Sequence, residues 1–442
     1  MEKAVFNETK VSKAYLRLAI PLVFSMAVGL IYNLADTFFV AQTNDTNVVA
    51  GVSLGMPLFT ALMAIGNVYA QGGSSLISRL LGKEDLQGVR HVSSFCFYGA
   101  IFTGAIIGIA LLVFRVPLLY VLGANEQTYR HASDYFLYLA IGAPVIVLTF
   151  IHSNLLRAEG MSKESMLGNV VGSLVNIVLD PIFISVLGWN AAGAALATVI
   201  GNLCTDLFFL AVVLKKSKIL SVNLREVKIP LEHVGQILGI GVPAAIVNLM
   251  SSASSVVINQ FLLPFGNEKI AAMGIAMKVS MIVLLLITGL AFGGQPLFGY
   301  YYGSGDRKRL SQLLRFCLKF ISAVALGLSA LVFIAAPLLM RSFMDNDAIV
   351  QAGTVMLRWQ VSSMVFVGMV LLFTIIFQSS GKVLGSFLLS ISRQGVVFLV
   401  VILIAYNLLG YYGVVMSQAI ADLITAIFAA ALFMKQLYRE YH

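Results

Sequence analysis

Long apolar runs separated by short polar ones set the rhythm of this 442-residue chain. Runs of about 20 residues or more are long enough to cross a bilayer as helices. They fall at about 15–41, 48–80, 91–114, 132–155, 165–187, 190–214, 235–264, 271–301, 312–338, 351–379, 384–406 and 409–434. The pattern predicts an all-α integral membrane protein with twelve transmembrane helices, called spans 1 to 12 below. The longest basic stretch, 215–233, parts span 6 from span 7. It divides the chain into an N-lobe at 1–214, a cytoplasmic linker at 215–234 and a C-lobe at 235–442.

The two sets of six repeat one another. Gly72-Gly73 in span 2 recurs as Gly293-Gly294 in span 8, 221 residues on. The same offset pairs Leu76 with Leu297, Gly82 with Gly303, Asp85 with Asp306, Gly160 with Gly381 and Ser165 with Ser386; Pro21 and Pro243 are 222 apart. Each half has an even number of spans, so both insert with the same orientation. Parallel repeats related by an axis along the membrane normal favour a transporter.

Composition agrees and adds orientation. The chain is 59% hydrophobic and only 11% charged, against about 25% charged in a soluble protein. The N-terminus carries no short apolar core with a small-residue cleavage site, so no cleavable signal is expected. With both termini cytoplasmic, 22 Lys and Arg lie on the inner side and 6 on the outer, with Arg393 inside span 11. That asymmetry decides the orientation. The formal charge of +9 then reads as inner loops facing anionic lipid rather than nucleic acid.

Carboxylates inside the spans are the candidate chemistry, because a charge at the centre of a lipid-embedded helix costs about 2.5–3.5 kcal/mol. Of 20 Asp and Glu, only Asp36, Asp180, Asp206 and Asp422 lie well inside spans. Counting from the outer ends at 1.5 Å per residue, Asp36, Asp180 and Thr198 share one layer, roughly 9–12 Å deep. Asn176, one turn from Asp180, extends that layer toward the midplane. Asp206 lies nearer the cytoplasmic side, where pairing at the inner surface is expected, and Asp422 near the middle of span 12. A helix kink at Asp180-Pro181, a snorkelling Asp36 and a packing role for Thr198 are the plainer alternatives.

Other motifs exclude more than they suggest. The glycine pairs precede no phosphate-loop pattern and fit close helix packing. The five His residues show no metal spacing, and the serine clusters lack a His/Asp set, so no enzyme is predicted. Cys96, Cys204 and Cys317 fall inside apolar spans as small core residues.

Four segments resemble the MATE (multidrug and toxic compound extrusion) family, most closely its DinF/MepA-like bacterial branch. They are Asn33-Leu-Ala-Asp36-Thr-Phe-Phe-Val40, Gly72-Gly-Ser-Ser-Leu-Ile-Ser-Arg79-Leu-Leu-Gly82, Arg157-Ala-Glu-Gly160 and Asn176-Ile-Val-Leu-Asp180-Pro-Ile-Phe183. The resemblance implies a V-shaped pair of six-helix lobes in a bacterial plasma membrane. It implies cation-coupled efflux of amphipathic, often cationic aromatic compounds, with H+ or Na+ as the coupling ion, no other cofactor, and a monomer in contact with lipid and drug. It carries the coupling-ion site onto Asp36, Asn176, Asp180 and Thr198, the substrate cavity onto Tyr32, Asn33, Asp36 and Asp180, and the bend of span 1 onto Pro21. One departure is visible: spans 7, 8 and 10 hold no well-embedded acid, and Phe292 stands where relatives can carry Glu.

In this reading two carboxylates in one dry pocket cannot both stay charged cheaply. Protons satisfy the acids alone; Na+ also needs the oxygens of Asn176 and Thr198. A cationic drug competes with the ion for the same negative charge. The alternative is a lipid-linked oligosaccharide flippase of the same superfold, which would line its cavity with several Arg or Lys. Only Arg393 and Lys278 lie deep.

Overall fold

The computed structural model describes residues 3–344 and 346–441. Among the described residues every regular element is helical. Eleven helices are long and apolar enough to cross a membrane. They are span 1 (Val11–Ala41), span 2 (Thr46–Gly82), span 3 (Leu86–Val113), span 5 (Ser162–Val186), span 6 (Asn190–Lys215), span 7 (Leu231–Phe265), span 8 (Asn267–Ser304), span 9 (Arg307–Phe343), span 10 (Asp347–Ser379), span 11 (Val383–Leu409) and span 12 (Tyr411–Gln436). Span 4 is a bent pair, Tyr129–Ile141 and Ala143–Ala158, meeting at 54°.

The 221-residue repeat has local physical causes. Asp85 and Asp306 are matched N-caps: their carboxylates accept from the backbone N–H of Gly88 at 2.8 Å and of Arg309 at 3.0 Å. Each satisfies one of the amides left open at a helix start, worth about 1 kcal/mol. Gly160 and Gly381 end spans 4 and 10 with φ of +95° and +70°, a left-handed backbone that glycine adopts without a Cβ clash.

The described chain forms two compact units. Unit 1 is Phe24–Ala245 with the short segment ending at Phe6; unit 2 is Asn7–Val23 with the residues from Ile246 onward. Spans 1 and 7 therefore each change unit partway along. In both, the change falls within three residues of a proline, Pro21 or Pro243, inside an unbroken helix. A proline removes one helical hydrogen bond and crowds the preceding turn, so the two prolines mark matching weak points.

The paired glycines receive those crossing segments. In unit 1 a Cβ on Gly72 would strike the carbonyl of Ile237 in span 7, and one on Gly241 would strike the carbonyl of Val68. In unit 2 a Cβ on Gly293 would strike Ala19 of span 1. Beside it the Tyr15 hydroxyl donates to the Leu290 carbonyl at 2.7 Å. Apolar burial gives membrane helices little reason to associate, so backbone contact at small residues does that work.

Candidate ion-binding site

Spans 5 and 6 are brought together by glycines above and below one polar layer. A Cβ on Gly172 would collide with the Thr205 hydroxyl, and one on Gly201 would lie 2.9 Å from the Gly172 carbonyl. Toward the other end, a Cβ on Gly193 would lie 2.7 Å from the Phe183 backbone carbon. Between these contacts Asn176, Asp180 and Thr198 are 2%, 0% and 4% exposed. Directly after Asp180 the helix widens into a π turn, Pro181–Val186. Pro181 has no N–H to give the preceding turn, and the Leu187 N–H bonds Ile182 with the longer step, at 2.9 Å.

Span 1 supplies the other wall. The Tyr32 hydroxyl meets Thr198 Oγ1 at 3.5 Å, and Asn176 Nδ2 donates to the same oxygen at 3.4 Å. Asp36 is half-buried and lies within electrostatic range of Asp180. The layer expected from depth is therefore one cluster in space, all of it in unit 1. Asn33 is apart from it: the residue is exposed, and its amide donates to the Gly29 carbonyl at 2.8 Å.

The cluster is short of donors. Asp36 Oδ1, Asn176 Oδ1 and both carboxylate oxygens of Asp180 are buried with no hydrogen-bond partner among the described residues. A buried polar group left so costs about 1–3 kcal/mol, more if charged. Four acceptor oxygens with nothing to accept from suit a proton or a small hard cation.

One member was missed. Tyr135 of span 4 is 4% exposed and lies within electrostatic range of Asp36, Asp180 and Tyr32. Gly55 of span 2 makes room, since a Cβ there would strike the Tyr135 ring. The sequence reading hid it: with span 4 starting near 132, Tyr135 counts as only three residues deep, roughly 4.5 Å, whereas the helix begins at Tyr129, six residues before it.

The other embedded acids differ. Asp206 is 6% exposed and faces the Thr149 hydroxyl rather than a cation, so the expected pairing at the inner surface is not found among the described residues. Asp422 in unit 2 is 1% exposed and fully engaged. Its Oδ1 accepts from Arg393 Nε at 2.9 Å and from Gln418 Nε2 at 3.1 Å, and its Oδ2 accepts from Ser363 Oγ at 2.9 Å. Sequence reasoning noticed both Asp422 and Arg393 without pairing them.

Fold and site together define a multi-pass membrane transporter with buried acids in its spans. The MatE family model matches residues 21–182 and 243–406, one stretch in each half of the repeat. The chain is 32% identical over 435 residues to the multidrug export protein MepA of Staphylococcus aureus (strain MRSA252), covering 98% of this chain and 96% of MepA. It superposes at a TM-score of 0.92 and 27% identity on an outward-facing multidrug resistance MATE family transporter of the MOP superfamily, covering 100% of this chain and 98% of the other. A MOP superfamily transporter from Pyrococcus furiosus Vc1, whose binding pocket of reverse polarity suggests a different function, matches at a TM-score of 0.91 and 27% identity, covering 99% and 98%. The chain belongs to the MATE family.

Proposed function

We propose that this protein is a cation-coupled multidrug efflux antiporter of a bacterial plasma membrane, with both termini cytoplasmic. It exports amphipathic, often cationic aromatic compounds by alternating access between an N-lobe and a C-lobe. The observation that carries the coupling is the set of four buried oxygens on Asp36, Asn176 and Asp180 that have no hydrogen-bond partner among the described residues.

Two nearby carboxylates in a dry pocket repel, so the cluster takes up positive charge. A proton needs only Asp36 and Asp180. Na+ needs several oxygens, and Asn176 Oδ1 with Thr198 Oγ1 supplies the neutral ones. Uptake changes the charge that a cationic substrate meets near Tyr32, Asp36 and Asp180. It also changes the packing of span 1, whose crossing between units lies by Pro21. The carboxylate pair alone can exchange a proton for a cationic drug, which favours H+.

The test is dye efflux in inverted membrane vesicles under a proton gradient alone, then a Na+ gradient alone. Full activity in sodium-free medium upholds proton coupling. Strict dependence on added Na+ reassigns the site to Na+, and activity with neither gradient overturns coupling altogether.

A further inference from the structure

Unit 2 holds a charged group that the coupling site does not use. Arg393 lies in a π turn, Ser392–Val396, in the middle of span 11, where Gly395 leaves helical geometry at φ −117°, ψ −105°. The turn is held from span 7, where Ser254 Oγ donates to the Gln394 carbonyl at 2.5 Å. From it Arg393 Nε reaches Asp422 in span 12 at 2.9 Å. Asp422 is fixed in turn by Ser363 of span 10 and by Gln418. The π turn therefore aims the guanidinium, and a buried acid clamps it.

The clamp uses one edge only. Nε is engaged, while the two terminal nitrogens of Arg393 make no hydrogen bond with any described residue. The side chain keeps 13% exposure, against 1% for its partner acid. A guanidinium has five N–H donors in a rigid fork that matches a carboxylate through two parallel bonds. Four of those donors remain. Because Nε is already tied, little further freedom is lost when a second oxyanion docks.

Charge balance then selects the ligand. The Arg393–Asp422 pair is neutral as it stands. A bare anion would leave one net negative charge in a low-dielectric interior, which is expensive. A ligand that carries its own positive charge adds none.

We propose that Arg393, positioned by Asp422, Ser363 and Gln418, is a recognition site for the oxyanion of a zwitterionic amphiphile. A carboxylate on a transported compound and the phosphate of a zwitterionic lipid headgroup share this chemistry. The assignment does not depend on which ion drives transport, because it concerns binding at equilibrium in unit 2.

The experiment is fluorescence-anisotropy binding to purified protein in maltoside detergent. The probes are a fluorescent amphiphile bearing one ammonium and one carboxylate, and its methyl ester. The quantity read is the ratio of acid to ester affinity. In the double variant Arg393→Gln/Asp422→Asn, which removes both charges together, this ratio should fall about tenfold, the loss of roughly one charge-assisted contact. Arg393→Lys keeps the charge without the fork and should recover only part of it. An unchanged ratio in the double variant overturns the proposal, whether or not Arg393→Gln alone folds. Repeating the measurement with added phosphatidylcholine names the occupant. A lowered ratio in the intact protein supports the site with lipid phosphate competing for it, and an unaltered ratio supports it with the soluble zwitterion as sole ligand.

Discussion

Asp180 of unit 1 and Asp422 of unit 2 are both carboxylates inside a membrane helix, 0% and 1% exposed. By burial and residue type they are equivalent. Their surroundings are opposite. Asp422 accepts hydrogen bonds from Arg393, Gln418 and Ser363, whereas neither oxygen of Asp180 has a partner among the described residues. A buried acid with a full complement of donors is a settled structural group. One without donors is held at a cost, and that cost is a reason to look for an exchangeable ion.

The largest expected effect tests this contrast directly. Asp180→Asn should reduce gradient-driven efflux to background while leaving the thermal midpoint in detergent unchanged or slightly raised, because it removes a buried charge that nothing compensates. Asp36→Asn should behave alike. Wild-type pumping by both variants would end the N-lobe assignment.

Asp422→Asn should do the reverse. It strands the Arg393 guanidinium in the interior, and breaking a buried pair costs about 3–5 kcal/mol, so the midpoint should drop. Efflux per folded molecule should fall less than in Asp180→Asn. Adding Arg393→Gln should restore much of the stability. A larger transport loss at Asp422 than at Asp180 would move the coupling site into unit 2.

Within unit 1, Thr198→Val and Asn176→Leu keep both acids and remove neutral oxygens. Under Na+ coupling both should lose transport nearly as fully as Asp180→Asn. Under H+ coupling Thr198→Val should keep much of its proton-driven efflux, with a displaced pH optimum. Gly201→Leu would push span 6 off the Gly172 carbonyl and Asn176. It should cost about 1–3 kcal/mol by overpacking and weaken transport through the altered spacing of Thr198.

The smallest effect is expected outside the membrane. Glu440 follows span 12. Its partial burial raises its pKa, but bonds from Lys382 at 2.8 Å and Tyr302 at 2.5 Å outweigh this and hold it below the usual 4.5. A lowered folded-state value means stability that is present above pH 4.5 and lost as pH falls from there through the folded value. The carboxylate is about a third exposed, so solvent screening keeps the gain under about 1 kcal/mol. Glu440→Gln should shift the melting point at pH 7 only slightly and abolish that acid-side loss, leaving transport as it was.

The chain by itself determined the membrane class, the long apolar spans, the repeat and the order of the acids along their spans. Each follows from one-dimensional quantities: run length, offset, and distance from a helix end at a fixed rise. Asp36, Asn176, Asp180 and Thr198 were legible because span direction turns sequence position into depth; Tyr135 was not, because its helix starts at Tyr129, three residues before the apolar run does. Tertiary structure alone decided who meets whom at that depth. Depth says nothing about rotation about a helix axis, so it could not separate Tyr32, which faces Thr198, from its neighbour Asn33, which is exposed. Nor could it predict that a π turn in span 11 would swing Arg393 onto Asp422 and leave Asp180 without a donor. Partnership depends on helix rotation and on the glycine contacts that set helix spacing, and those are settled only when the whole bundle packs.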